Sequence, residues 1–416
     1  MEIVPLLFVL AGLVLYVVLA GADFGAALWQ ITAPPTDEGR RLRTLAHDAM
    51  GPVWEANHVW LIFVLTVTWT AYPAAFGSLA STLGIALSVA AFGIIVRGAA
   101  YATSSGTADP RELRRIDALS AISSVLAPFA LGACIGALAS GRVPYGNARG
   151  DLWLSWLNPT SITIGVLAVV VSAYLAAVYL CADAVRRGQE DLVPAFRRRA
   201  LGAGAVAGVL AVAGLVVLHE DAHPLYHRLV AGPGLPALIV SVLAGLGTGA
   251  LVARGRFEPA RVTAALAVAA IVAGWALAQQ PRSLPGLTVK QAAAPHDVLV
   301  AVTVAVVAGG VVLFPSLALL LRLTLGGALG HGGETADAPA SPASPGALPF
   351  PLAPGTAGRV AVAFLVAGVG LLTVAEAGWA HALGVVALLG FVVAGFLAVA
   401  PAFLDPDAHV PDGDRG

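Results

Sequence analysis

The sequence predicts an all-α membrane protein: a polytopic transmembrane helical bundle of nine core spans (two four-helix units plus one) and a C-terminal two-span hairpin, with the N-terminus extracytoplasmic. Three observations predict this class. Of 416 residues, 58% are hydrophobic and 11% charged, against roughly 25% charged in a soluble domain. The apolar residues form successive blocks close to the roughly 20 residues that cross a bilayer. These blocks lack the period-2 alternation of barrel strands, so in hydrocarbon they satisfy their backbone hydrogen bonds as helices.

Taken in order, the blocks bounded by charges or Gly/Pro clusters cover residues 3–31, 51–71, 75–102, 117–139, 158–184, 199–218, 234–253, 260–280 and 296–325. The first opens on Glu2 and runs uncharged from Ile3 to Ala22, without the basic start of a secretory signal, so it reads as a retained span. Residues 1–325 thus make a membrane domain. Residues 326–357 are rich in Gly, Ala, Pro and Ser and read as a flexible linker. Apolar blocks at 358–376 and 381–404 flank the turn Ala377–Ala380 and suit an additional antiparallel hairpin, followed by a cytoplasmic tail at 405–416.

Orientation follows from the cations. The loops after spans 1, 3, 5, 7 and 9 hold 17 Arg, including Arg40, Arg41 and Arg43 and the run Arg197, Arg198, Arg199, whereas Arg142, Arg149, Arg228, Arg282 and Lys290 make 5 on the other side. The positive-inside rule therefore puts the N-terminus outside the cytoplasm. The net charge of −1 supplies no basic field, so nucleic acid is not a partner. Cys134 and Cys181, the two cysteines, lie in separate apolar blocks and build neither a disulfide framework nor a thiolate zinc site. An internal repeat shows in Ala22-Asp23 against Ala182-Asp183 and in Arg97-Gly98 against Arg254-Gly255, at similar offsets with four spans in each period.

A charge inside a span costs at least ~2.5 kcal/mol and is a functional hypothesis by default. Asp23, in Gly21-Ala22-Asp23-Phe24-Gly25, lies near the cytoplasmic end of span 1. Glu55, in Trp54-Glu55-Ala56-Asn57-His58-Val59-Trp60-Leu61-Ile62, opens span 2. The two spans run antiparallel, so both carboxyls are expected at similar depth, as one proton pathway with His58, three residues beyond Glu55. The plainer alternative has Asp23 anchor a helix end and Glu55 pair with His58. Trp54 and Trp60 are expected as interface anchors. His58, as a lone imidazole, is expected to hydrogen-bond rather than ligate haem. His219, His223 and His227 have i, i+4, i+8 spacing, but Pro224 interrupts them, so the expectation is a solvated loop and no metal site.

These motifs resemble subunit II of the cytochrome bd-type quinol oxidases. The G-x-D-x-G and W-E-x-N-x-x-W-L-I pairs carry the resemblance. Arg97-Gly98 and Ser283-Leu284-Pro285-Gly286-Leu287-Thr288-Val289 add to it, over roughly residues 1–325. Ala56 stands where that family usually has Gly, the stretch after Tyr101 lacks its further aromatic and Arg residues, and the hairpin has no counterpart in it. The resemblance implies a heterodimer in the bacterial or archaeal cytoplasmic membrane, oxidising quinol and reducing oxygen to water. In it subunit I holds haems b and d, while this chain binds no haem or metal directly. Small accessory membrane subunits and a quinone lodged as a structural lipid belong to the same expectation. Asp23 and Glu55 fall on the acidic positions of the two motifs, with Trp54, Asn57, Trp60 and Arg97 as the motif's structural residues. Two other classes compete: a secondary transporter, whose charges would sit in helices broken at mid-membrane, and a purely structural membrane scaffold, in which both acids are replaceable.

Overall fold

The computed structural model describes residues 1–50, 54–104, 110–325, 356–374, 379–380, 383–391 and 393–394. In order, the helices are α1 (Val4–Ile31), α2 (Asp37–Met50), α3 (Trp54–Ala71), α4 (Pro73–Thr82), α5 (Gly84–Ser104), α6 (Pro110–Ala139), α7 (Pro159–Arg186), α8 (Val193–Asp221), α9 (His223–Val230), α10 (Leu235–Ala253), α11 (Phe257–Gln279), α12 (Val289–Ala292), α13 (His296–Leu325) and α14 (Thr356–Val374). Among the described residues, α1, α5, α6, α7, α8, α10, α11 and α13 are long and apolar enough to cross a membrane, and the chain is a multi-pass membrane protein. The apolar stretch of α3, Asn57–Ala71, is shorter than these.

The expected span at 75–102 is corrected. It divides at Leu83 into α4, of 10 residues, and α5, of 21. At 1.5 Å per residue α4 is about 15 Å long, half a hydrocarbon core, so α5 alone has crossing length. The loop between α6 and α7 holds α4 in place. Ser78 Oγ accepts from the Gly146 amide at 2.9 Å and Ser81 Oγ from the Ala148 amide at 2.8 Å.

The first unit, Met1–Leu329, is organised around α1 and α7, which pack on each other. α1 also packs on α3 and α6, with α5 on α6; α7 packs on α8 and α11, with α10 on α11. The two halves of the expected repeat thus share one pairing pattern. Leu175, Val178, Leu180, Leu192 and Phe196 are fully buried at the centre, with Leu42 and Leu45 of the amphipathic α2 closing it at one end. Gly25 is required by this crossing, because a Cβ there would overlap the Ser172 carbonyl oxygen of α7. Trp29 Nε1 donates to the Ala173 carbonyl at 2.8 Å, one turn further along the same contact.

At the other end, Leu284-Pro285-Gly286-Leu287 forms a tight turn between strands β1 (Arg282–Leu284) and β2 (Leu287–Thr288). Gly286 takes the positive φ of 77° that follows a turn proline. Thr288 and Gln291 then cap α12 reciprocally. Leu284, Leu287 and Val289 are buried there with Trp156 and Val143. In the neighbouring loop, Asp151 accepts from the amides of Leu154 and Trp153 at 2.7 and 2.8 Å, which holds its carboxyl below the usual range.

The second unit, Gly330–Gly416, contains α14 and a helical stretch at 383–391. They touch through glycines: Gly368 faces Leu388, and Gly390 faces the Phe364 ring. Residues 326–355 of the expected linker, 395–404 of the expected hairpin and the tail 405–416 lie outside the described residues.

Candidate functional site

Asp23 is 1% exposed and sits in the interior of α1, eight residues before its end at Ile31. That corrects the alternative in which it anchors a helix end. Its partner is Arg97 of α5. Arg97 Nη2 lies 2.5 Å from Asp23 Oδ1, Nε donates to Oδ2 at 2.9 Å, and Nη2 also donates to the Asp23 carbonyl at 3.0 Å. The third guanidinium nitrogen, Nη1, turns to α6, where it meets Ser124 Oγ at 2.8 Å and Ser120 Oγ at 3.4 Å. The Phe24 ring covers the guanidinium at 5.6 Å. A planar donor fork matched to a carboxylate, with its remaining N–H groups satisfied, is the geometry in which a buried ion pair offsets its desolvation.

Beside the pair stands the His58 imidazole of α3, edge-on to Tyr16 at 6.0 Å and to Phe24 at 5.9 Å. Asn57, 4% exposed, points Nδ2 at the Leu19 carbonyl at 3.4 Å. The buried Tyr16 hydroxyl has no hydrogen-bond partner among the described residues. Trp60 packs against the cluster of Tyr16, Ala20, Phe24 and Ala127. The structure therefore brings Asp23, Arg97, Asn57, His58 and Trp60 into one patch between α1, α3, α5 and α6. The side chains of Trp54 and Glu55 lie outside what is described, and so does the expected meeting of Glu55 with Asp23.

Sequence reasoning missed the Asp23–Arg97 bond and the serine pair behind it. The available signal was two opposite charges, each alone in an apolar block, since buried charges in membranes pair with one another. Ser120 and Ser124, at i, i+4 spacing, share one face of α6.

The repeat's second landmark is built differently. Asp183 is held by Arg186 at 3.1 Å and Arg261 at 3.6 Å, with Glu258 joining Arg186 at 2.9 Å. Arg254 instead occupies the C-cap of α10, ahead of Gly255 at φ 72°. At the opposite end of α6 from the site, Arg142 clasps Asp221 at 2.5 and 2.8 Å, and Thr160 donates to the same carboxylate at 2.5 Å. The expected loop around the three histidines is corrected as well. α9 begins at His223 one residue after α8 ends, because Pro224 falls in the first turn, where a missing N–H costs nothing. Among the described residues, no three His, Cys, Asp or Glu side chains converge as a closed metal centre needs.

Comparison with known proteins agrees with the architecture. The family described as cytochrome bd terminal oxidase subunit II matches residues 1–324. A Bacillus subtilis (strain 168) protein, assigned as a cytochrome bd menaquinol oxidase subunit II, is 23% identical over 218 residues, which are 52% of this chain and 62% of that protein. The chain therefore spans less than two thirds of that relative's length in the match. A chain of the bd oxidase structure from Geobacillus thermodenitrificans superposes with a TM-score of 0.63 at 24% identity, covering 78% of this chain and 98% of that one. At that identity the likeness speaks for the fold.

Proposed function

Because the chain belongs to the cytochrome bd terminal oxidase subunit II family, we propose that it is the haem-free subunit of a quinol:oxygen oxidoreductase. It is inactive alone, supports a haem-bearing subunit I and conducts cytoplasmic protons towards it. The complex sits in a bacterial or archaeal cytoplasmic membrane with the N-terminus of this chain outside, and it takes quinol and oxygen as substrates. The observation that carries the reading is a polar patch sealed inside apolar helices: Asp23 at 1% exposure, with His58, Asn57 and the Tyr16 hydroxyl around it. Such a patch costs insertion energy that a lipid-facing bundle does not otherwise need.

The residues divide the work. Asp23, with both oxygens taken by Arg97, is a fixed negative charge that favours a proton nearby. Exchange falls to Glu55 and His58, one helical turn apart on α3, where a carboxyl and an imidazole both gain and lose protons readily. Tyr16, whose ring centroid lies 6.0 Å from that of His58, carries a hydroxyl that can accept and donate in the same step.

Glu55→Gln tests this, because it keeps size and hydrogen bonding but removes the exchangeable proton. Oxygen consumption by the assembled complex should fall severalfold or more with haem content normal, and Glu55→Asp should retain part of the rate. Normal turnover in an assembled Glu55→Gln complex would leave the second reading, a structural scaffold. The observation favouring that reading is the closed Asp23–Arg97–Ser124 arrangement, which stabilises three helices whether or not protons pass.

A further inference from the structure

Three of the chain's nine histidines fall within nine residues, at the end of the bundle away from Asp23, and the oxidase reading uses none of them. His219 closes α8, His223 opens α9, and His227 follows one turn later. Ala222 alone separates the two helices, so the i, i+4 spacing keeps the three rings on one side through the bend. The ring centroids of His219 and His223 are 5.1 Å apart, and those of His223 and His227 are 4.6 Å apart. Tyr226 packs edge-on to His219 at 5.0 Å, which supports the ring from beside. All three imidazoles are exposed or half-exposed, so nothing needs displacing before a ligand arrives.

We propose that His223, with one of its two imidazole neighbours, holds a divalent transition-metal ion of the zinc or copper class at this surface. Two imidazoles one turn apart on one helical face form the chelate that helical zinc motifs use. His219 is already prepared for it. Its Nδ1 lies 2.9 Å from Glu220 Oε1, and an ionised carboxylate only accepts, so Nδ1 carries the proton and Nε2 keeps its lone pair for a metal. With two protein donors rather than three or four, water completes the coordination, and the site is exchangeable rather than structural. The ion would tie the end of α8 to the start of α9, two residues from the Arg142–Asp221 clasp.

The test uses the complex purified through a tag without histidine. Zn2+ is titrated by calorimetry, and Cu2+ by electron paramagnetic resonance, where bound imidazole nitrogens split the signal. One ion per chain is expected, with nitrogen splitting and release on acidification as protons compete for the ring nitrogens. His223→Ala should weaken binding about tenfold or more. Loss in His219→Ala would place the ion across the bend, and loss in His227→Ala would place it within α9; either supports the proposal. No ion bound, or binding unchanged in a folded His223→Ala complex, overturns it.

Discussion

At the scale of single residues, the decisive feature is that one guanidinium satisfies Asp23 completely and spends its remaining nitrogen on Ser124. Removing one partner strands the other in hydrocarbon. Asp23→Asn is therefore expected to destabilise the assembled protein by about 3–5 kcal/mol, read as a lower midpoint in thermal unfolding in detergent. The double variant Asp23→Leu with Arg97→Met should recover most of that loss, because apolar residues of similar volume replace a buried pair at little cost. Turnover then separates the roles: a stable double variant at normal rate would show that no charge is needed at position 23. Asp23 itself was legible as a candidate, since a carboxylate in an apolar run stands out in any sequence. Its partner was not. Which charges from distant blocks meet depends on how α1, α5 and α6 pack, and no local spacing encodes that.

At the scale of elements, most of the bundle was legible because length and apolarity alone select membrane-crossing helices. The expected blocks at 158–184 and 234–253 differ from α7 and α10 by no more than two residues at either end. The division at Leu83 was hidden, because Leu83-Gly84-Ile85 continues the apolar run and the loop that hydrogen-bonds to α4 lies 67 and 68 residues later in the chain. The histidine segment misled for a related reason: Pro224 reads as a helix breaker until its place in a first turn is known. The most testable element contact is α1 on α7. Gly25→Ala puts a methyl into the Ser172 carbonyl, where only backbone can yield. A loss of about 1–3 kcal/mol or more is expected, seen as reduced yield of folded protein. A second change at Ser172 should not rescue it, because the obstacle is main chain. Parent-like yield and melting temperature would show that the two helices can part freely.

At the scale of the whole molecule, the family match ends at residue 324 and the first compact unit ends at Leu329. In the expected hairpin at about 358–404, α14 and the helical stretch at 383–391 touch through Gly368 and Gly390. The hairpin is accordingly expected to be an addition rather than a part of the core. Truncation after Leu325 should leave a complex that assembles and consumes oxygen; failure to assemble would place the hairpin inside the functional bundle, in the role of a small accessory subunit. The ion pair also has a consequence in time. Asp23 is synthesised 74 residues ahead of Arg97. While the ribosome makes that intervening stretch, the first helix must stay in or beside the bilayer carrying an unanswered acid, at a cost of roughly 2.5–3.5 kcal/mol on the insertion scale. An otherwise uncharged helix of 28 residues, whose most apolar 18-residue stretch has a mean hydropathy of 2.6, can bear that delay. The greasiness of α1 is in this sense matched to the lateness of its counter-charge, and the order of helices along the gene sets how long the nascent chain waits.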